Sequence, residues 1–296
     1  MQATANVHVL RVKSEAYQGA YSPSIYLVVD DGHAVMIDGG MPDEASVREH
    51  IAYVKSIGNP RIELIVLTHH HFDHAGGALL LSEAIGAPMA MHSEEERLLR
   101  DALDRRARDP GVGALQRAVA RVDRRLADGE VVPIGHLSLR AILTPGHSAG
   151  HLCFFLEEER VLFSGDNVLG LGTTAIPPPP YGDMALYVRS LEKMKALDAA
   201  LLCPGHGPLV HQPERKISEL IDHRRARDEQ VLALLRAGET TVAGLVRRIY
   251  PELAPRLEGM AKGQVLAHLY KLRDEGRVST SEGGDELVWQ LSETPG

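Results

Sequence analysis

The sequence predicts a layered α/β domain followed by a smaller helical domain. Over the first two thirds of the chain, short apolar runs bounded by turn residues alternate with helical periodicities, an order typical of layered α/β folds rather than of an all-β sandwich. After Pro208 the pattern changes to helices and a terminal hairpin. A chain of 296 residues is long enough for one large domain and a small additional one.

The early strands are apolar runs that end at turn residues. They are Val7–Val12, Ser24–Val29, Ala34–Ile37 and Leu64–Leu67. Between them, Asp43–Ile57 carries apolar side chains at helical spacing. Leu64–Leu67 is a continuous apolar run, typical of a strand buried on both faces. A histidine-rich segment follows it as a predicted loop, and Ala75–Ile85 is predicted to be a helix.

The middle of the chain is more charged. Residues 93–128 predict two helices that are interrupted by Asp109-Pro110-Gly111. Further predicted strands are Val131–Ile134, Leu137–Leu143, Leu152–Leu156, Val161–Ser164 and Ala200–Cys203. Met184–Leu197 is predicted to be a helix.

The last part of the chain predicts three helices and a hairpin. The helices are Pro213–Arg236, Thr240–Tyr250 and Met260–Glu275, and the hairpin strands are Arg277–Ser281 and Glu286–Leu291 around Gly283-Gly284. This is the element order of a winged-helix module. We therefore expect a first domain over 1–212 and a winged-helix-like domain over 213–296.

Composition places the chain among ordinary globular proteins. Hydrophobic residues make up 44% and charged residues 24% of the sequence. No apolar stretch approaches the roughly 18 residues that span a membrane. The segment Met1–Leu10 lacks the pattern of a secretory signal, and two cysteines are too few for a disulfide framework. These features predict a cytoplasmic protein without membrane partners.

Charge argues against a large nucleic-acid surface. The net charge is −8, and residues 214–296 carry 13 basic and 14 acidic residues, so the tail is near neutral. Nucleic-acid binding relies on clustered Lys and Arg. The compositional oddity is the 15 histidines, four of which lie between His69 and His74.

The run Thr68-His69-His70-His71-Phe72-Asp73-His74 predicts a metal site. Metal binding needs several imidazole or carboxylate groups that converge on a point and are held by rigid backbone. The spacing of two between His69, His71 and Asp73 lets alternate side chains point the same way, and Asp73 and His74 then turn toward a neighbouring position. One short loop would thus offer two ligands to each of two metals. The alternative is a solvated histidine-rich loop.

Three further residues favour the metal site over that alternative. His147 follows the strand Leu137–Leu143, Asp166 follows Val161–Ser164, and His206 follows Ala200–Cys203. Each is flanked by Gly, which permits tight turns and close backbone approach. In layered α/β folds, sites collect at the carboxyl ends of the strands. The four segments are therefore predicted to meet.

This ordered set resembles the metallo-β-lactamase superfamily, over roughly residues 7–210. The resemblance implies an αββα sandwich and a binuclear metal-dependent hydrolase that uses a metal-bridging hydroxide. It implies that one metal is held by His69, His71 and His147, that the other is held by Asp73, His74 and His206, and that Asp166 bridges both. Such ligand sets usually hold zinc, and two Zn²⁺ are expected, although nitrogen and oxygen ligands also suit Fe or Mn.

Other residues receive supporting roles. Asp73 is both a ligand and the expected acceptor of the nucleophile's proton. Asp38 is expected to orient a ligand histidine or a loop amide. His70 is expected to point away, because its neighbours alternate inward. His151 either contacts substrate or packs. Thr173 and Thr174 are further candidates for supporting a ligand or contacting substrate.

The segment Gly165–Thr174 and the helical tail are similar to one subgroup of the superfamily, that of the mitochondrial endoribonuclease beta-lactamase-like protein 2. The chain departs from it in a longer 93–128 segment and in a proline run at Pro177–Pro180. Three functions remain open: hydrolysis of an ester, thioester or lactone; cleavage of single-stranded RNA; and nucleic-acid or partner binding through the tail. The tail also has a structural interpretation, as a packing element or the contact of a homodimer.

Overall fold

The fold is described from a computed structural model, over residues 1–11, 22–105, 122–283 and 286–292. These residues divide into two compact units. The first contains residues 1–144, 150–173 and 197–214, and the second contains 145–149, 174–196 and 215–296. Within the described ranges, every helix is too short or too polar to cross a membrane.

The first unit contains two sheets. The six strands of the first sheet are adjacent in chain order: β1 (Val7–Arg11), β2 (Ser24–Asp30), β3 (His33–Ile37), β4 (Arg61–Val66), β5 (Met89–Met91) and β6 (Arg124–Arg125). β1 to β3 pair antiparallel, and β3 to β6 pair parallel. The parallel strands bring their carboxyl ends to one edge of the sheet.

The second sheet has the order β11-β10-β9-β8-β7. Its strands are β7 (Val131–Ile134), β8 (Leu137–Leu143), β9 (Leu152–Leu156), β10 (Val161–Gly165) and β11 (Leu201–Pro204). Only the β10–β11 pair is parallel among these strands. The carboxyl ends of β10 and β11 therefore lie side by side.

Two apolar cores hold the first unit together. One lies between the sheets, and residues such as Val66 and Phe163 meet there. The other lies between the first sheet and the helices α1 (Glu44–Ser56), α2 (Phe72–Ile85) and α3 (Ser93–Arg105). In β4, Leu64 and Val66 face the first core while Ile65 faces the second. This alternation explains why β4 is a continuous apolar run.

The second unit contains the helices α4 (Met184–Lys195), α5 (Pro213–Arg236), α6 (Val242–Ile249) and α7 (Glu258–Asp274), with a 3-10 turn at Pro255–Leu257. The first two residues of α5 belong to the first unit. Its hairpin is formed by β12 (Val278–Gly283) and β13 (Glu286–Leu291). A core centred on the fully buried Trp289 joins α5, α6, α7 and the hairpin. The predicted order of three helices and a hairpin is confirmed.

The start of one predicted helix and the type of one predicted element were wrong. Helix α2 begins at Phe72, not at Ala75, so Asp73 and His74 lie in its first turn rather than in a loop. Its N-cap, His71, forms no side-chain cap hydrogen bond, so the start lacks the usual sequence signal. Arg124–Arg125 form an edge strand beside β5 instead of a second helix of the 93–128 segment. Residues 106–121, where most of that predicted helix falls, lie outside the described residues.

We expect the buried His50 on α1 to make the stability of the fold sensitive to acid. Its side chain is buried, and neither ring nitrogen has a hydrogen-bond partner among the described residues. Burial lowers the pKa of His50 to about 4, although Glu49 and Asp43 act in the opposite direction. In the unfolded chain this imidazole binds a proton near pH 6.5, whereas in the folded chain it binds one only near pH 4. The free energy of unfolding therefore falls as the pH drops from 6.5 toward 4.

We expect His50→Leu to remove this sensitivity. Between pH 7.5 and pH 5, the free energy of unfolding of the wild type should fall by about 2 kcal/mol more than that of the variant. Urea unfolding at both pH values measures the difference. The exposed His211 is the matched control, and His211→Leu should keep the wild-type dependence. Equal losses in wild type and His50→Leu would contradict the assignment.

Candidate metal centre

Six of the seven predicted ligands lie in the first unit, where strands end. His69 follows β4 and His71 precedes α2, while Asp73 and His74 belong to the first turn of α2. Asp166 directly follows β10, and His206 comes two residues after β11. The isolated bridge between Pro23 and His206 and the parallel pairing of β10 with β11 fix the last two segments. These positions agree with the predicted strand ends.

One group of potential ligands contains His69, His71 and Asp166. Their ligand atoms lie within 4.8 Å of one another. His69 Nε2 and His71 Nδ1 are 2.9 Å apart. The other nitrogen of His69, Nδ1, lies 3.0 Å from Thr68 Oγ1. The Thr68 hydroxyl thus holds the buried His69 ring so that Nε2 faces the group.

A second group contains Asp73, His74 and His206, again with ligand atoms within 4.8 Å of one another. His206 Nε2 lies 3.2 Å from Asp73 Oδ2 and 3.2 Å from His74 Nε2. The helical start of α2 explains the division into two groups. His69 and His71 project from extended backbone, whereas Asp73 and His74 project from a helical turn and reach a different point.

Asp166 joins the two groups. While its carboxylate belongs to the first group, its Oδ1 lies 3.3 Å from His74 Nε2 and 3.5 Å from His206 Nε2. Gly205 leaves room for this carboxylate, since a Cβ there would be 2.5 Å from Asp166 Oδ1. One carboxylate therefore faces histidines of both groups.

Asp38 orients His74 of the second group through a hydrogen bond. Its Oδ2 accepts a hydrogen bond from His74 Nδ1 at 2.9 Å, and its Oδ1 accepts one from the Thr68 amide at 2.8 Å. Because a carboxylate only accepts here, His74 carries a proton on Nδ1, so Nε2 is the nitrogen left to bind a metal. Asp38 adopts φ 62°, a left-handed conformation that Asp tolerates better than most residues. These contacts join the ring of His74 to the end of β4.

The electrostatic environment of the two groups favours a bound cation. The pKa of Asp73 is lowered to about 2, because a hydrogen bond from His206 and the charge of His74 outweigh the effect of burial. The pKa of His74 is raised well above its ordinary value by Asp166 and Asp38, against the opposing effect of burial. The same balance, with Asp73 and Asp166 as the main carboxylates, raises the pKa of His206. The carboxylates of Asp38, Asp73 and Asp166 thus stabilise positive charge at this place.

The donor set fits divalent metal ions. All the donors in the two groups are imidazole nitrogens and carboxylate oxygens, which suit zinc, iron or manganese. The side chains of Asp73, Asp166 and His206 are 12 to 18% exposed to solvent, whereas His69 and His74 are fully buried. The groups are thus anchored on one side and open to solvent on the other, as catalytic sites require.

Two other histidines of this unit have protein partners. His151 is fully buried, stacks on His69 with ring centroids 5.2 Å apart, and accepts the Asp166 amide on Nε2 at 3.3 Å. Of the two alternatives for His151, these contacts favour packing. His70 turns to Glu95, whose Oε2 lies 2.6 Å from His70 Nδ1.

Sequence reasoning missed Glu95, which is completely buried next to the histidine loop. Its carboxylate accepts hydrogen bonds from the amides of His70 and Gly150, at 2.8 and 2.7 Å. It was part of a charged helical segment in which Glu94 and Glu96 looked equivalent to it. The helical periodicity of α3 was the one signal that could have marked Glu95 as facing inward.

The seventh predicted ligand, His147, belongs to the second unit, together with Thr174. His147 Nδ1 lies 2.9 Å from the Ala175 carbonyl oxygen and 3.2 Å from Thr174 Oγ1. Thr174 is buried, whereas Thr173 is exposed. That His147 is a metal ligand stays a prediction, as do the roles of Thr173 and Thr174.

Fold and site together define a metal-dependent hydrolase of layered α/β architecture. The chain belongs to the metallo-beta-lactamase superfamily, whose family model matches residues 19–206. Residues 241–286 match the model of the beta-lactamase associated winged helix domain. The predicted fold class and family are therefore confirmed. The chain is an enzyme, a hydrolase of this superfamily with a candidate His/Asp metal cluster.

Relatives support the assignment over most of the chain. A Caenorhabditis elegans protein named beta-lactamase-like protein 2 homolog is 33% identical over 86% of this chain and 79% of its own length. An Aspergillus fumigatus protein named atrochrysone carboxyl ACP thioesterase is 31% identical over 71% of this chain and 58% of its own length, so this chain spans less than two thirds of it. The crystal structure of a beta-lactamase domain protein from Burkholderia ambifaria matches with a TM-score of 0.81 and 26% identity, over 99% of this chain and 93% of that one.

Proposed function

We propose that the chain is a binuclear, zinc-dependent hydrolase that cleaves an acyl thioester or a related ester or lactone. The observation that carries the binuclear assignment is the position of Asp166. Its carboxylate is part of one ligand group, while its Oδ1 lies within 3.5 Å of a nitrogen of both histidines in the other. A carboxylate in such a position suits two cations better than one.

The residues of the site support hydrolytic chemistry. A bound divalent metal lowers the pKa of water to about 7 and polarises the acceptor oxygen of the substrate. Asp73 stays ionised at neutral pH because its pKa is lowered to about 2, so its carboxylate is available to ligate and to hydrogen-bond the attacking water. Asp38 keeps the proton of His74 on Nδ1 and so directs Nε2 toward the ligand group.

Two observations favour a small acyl substrate over RNA. The Aspergillus fumigatus relative carries a thioesterase name. Several basic residues of the second unit are paired with acidic ones, as in the ion pairs Arg225–Glu192, Lys262–Glu258 and Arg277–Glu229. RNA binding needs unpaired basic clusters. The match to a winged helix domain keeps RNA cleavage as the second candidate function.

A side-by-side assay tests the proposal. A short acyl thioester, a lactone and a single-stranded RNA are incubated with zinc-loaded wild-type protein and with Asp166→Ala. We expect hydrolysis of the thioester that disappears in the variant. RNA cleavage that disappears in the variant, without thioester hydrolysis, would reverse the two candidates. RNA cleavage that persists in the variant comes from a contaminating nuclease.

A further inference from the structure

The protonation state of His147 follows from its partners in the second unit. Its Nδ1 lies 2.9 Å from the carbonyl oxygen of Ala175. A carbonyl oxygen only accepts hydrogen bonds, so Nδ1 must carry the proton. In a neutral imidazole the lone pair then sits on Nε2, which is the form a metal ligand needs. The segment Thr174–Ile176 therefore determines which nitrogen of His147 can bind a metal.

Two helices of the C-terminal region hold that segment on either side of Ala175. Arg224 of α5 donates from Nη2 to the Thr174 carbonyl oxygen at 2.7 Å. Gln264 of α7 accepts from the Ile176 amide on Oε1 at 2.9 Å. The backbone around the Ala175 carbonyl is thus tied to side chains that lie 50 and 88 residues further along the chain.

Arg224 is an unusual residue for a purely structural contact. It is 3% exposed, its guanidinium stacks over the Tyr187 ring at 5.2 Å, and its Nε has no hydrogen-bond partner among the described residues. No carboxylate of the described residues forms an ion pair with it. Burial of a guanidinium without a counter-charge is costly, and an apolar residue of similar length would pack there at lower cost.

We propose that Arg224 and Gln264 are positioning residues that fix the His147 imidazole through Thr174–Ile176. The C-terminal helices thereby orient a predicted metal ligand, a role beyond packing or nucleic-acid binding. The inference rests on the proposed function, because it takes His147 to be a ligand. It predicts that substitutions in α5 and α7 weaken metal binding although neither residue belongs to a ligand group.

The test uses Arg224→Met and Gln264→Met, which remove the polar contacts and keep much of the volume. Arg225→Met is the matched control, because Arg225 is the exposed neighbour of Arg224 on α5. Zinc affinity is measured by competition with a chelator, and we expect it to fall about 10- to 100-fold in the first two variants and to be unchanged in the control. Arg224→Lys, which keeps a donor, should recover part of the affinity.

A second readout needs no metal. In the metal-free protein labelled with ¹⁵N-histidine, nitrogen–proton correlation spectra distinguish the two imidazole tautomers. The His147 signal, assigned as the one missing in His147→Gln, should show the Nδ1–H form in wild type and in Arg225→Met. In Arg224→Met and Gln264→Met it should shift toward a mixture of tautomers. If Arg224→Met does not fold, the spectrum of Gln264→Met alone tests the positioning role.

The outcomes separate the inference from the proposed function. If His147→Gln leaves zinc affinity unchanged, His147 is not a ligand and that part of the proposed function is wrong. If His147→Gln weakens zinc binding while Arg224→Met and Gln264→Met keep wild-type affinity and tautomer, the positioning role is overturned and the function stands.

Discussion

Asp166→Ala is expected to lower hydrolysis of the best substrate by at least about a thousandfold, equivalent to about 4 kcal/mol of transition-state stabilisation. The carboxylate of Asp166 faces both ligand groups, with Oδ1 3.3 Å from His74 Nε2 and 3.5 Å from His206 Nε2. Its loss removes the group proposed to bridge the metals and one of the two carboxylates that face each of these histidines. Steady-state kinetics at saturating zinc measures the effect.

Two further variants show whether the charge or the shape of Asp166 matters. Asp166→Asn preserves the size of the side chain and loses its charge, so its activity should fall almost as far. Asp222→Ala removes a carboxylate that is 77% exposed on α5 and should keep wild-type activity. Circular dichroism should show the same fold for all of them. Wild-type activity in Asp166→Ala would exclude Asp166 from the reaction.

The adjacent histidines His71 and His70 are expected to behave in opposite ways. Protein purified without chelator should contain about two zinc ions per chain, and His71→Ala should lose at least one of them together with hydrolysis. His71 Nδ1 lies 2.9 Å from His69 Nε2 within a ligand group, whereas His70 turns its ring to Glu95. His70→Ala should therefore keep both ions.

The free energy of unfolding should distinguish His70→Ala from wild type although their metal contents are equal. His70→Ala removes one of the partners of the buried Glu95 carboxylate, so it should lower the free energy of unfolding by about 1 to 3 kcal/mol. Elemental analysis and urea unfolding of both variants measure the two effects. Less than one metal ion per wild-type chain would contradict the binuclear assignment, and metal loss in His70→Ala would contradict the division of roles.

The fold was largely predictable because its strands and helices carry local signals. Apolar runs that end at Gly, Pro or Asp predicted the strands, and the order of three helices and a hairpin predicted the winged-helix region. The start of α2 was missed because His71 caps it without a side-chain hydrogen bond. The strand β6 was missed because Arg124 and Arg125 are two exposed residues whose only strand signal is their pairing with β5.

Taken alone, the sequence determined the family and the residues from which the metal centre is proposed to be built. Ligand chemistry requires particular side chains, and turn residues after strands show where they project, so both signals are local. The spacing and the family resemblance also predicted two ligand groups with Asp166 between them. Only the tertiary structure decided that Asp73 and His74 project from the first turn of α2, and how far Asp166 lies from the histidines of the second group. It also revealed Glu95, Arg224 and Gln264, whose contacts join residues 25 to 88 positions apart. Such contacts depend on how distant segments pack, and no local pattern in the chain encodes them.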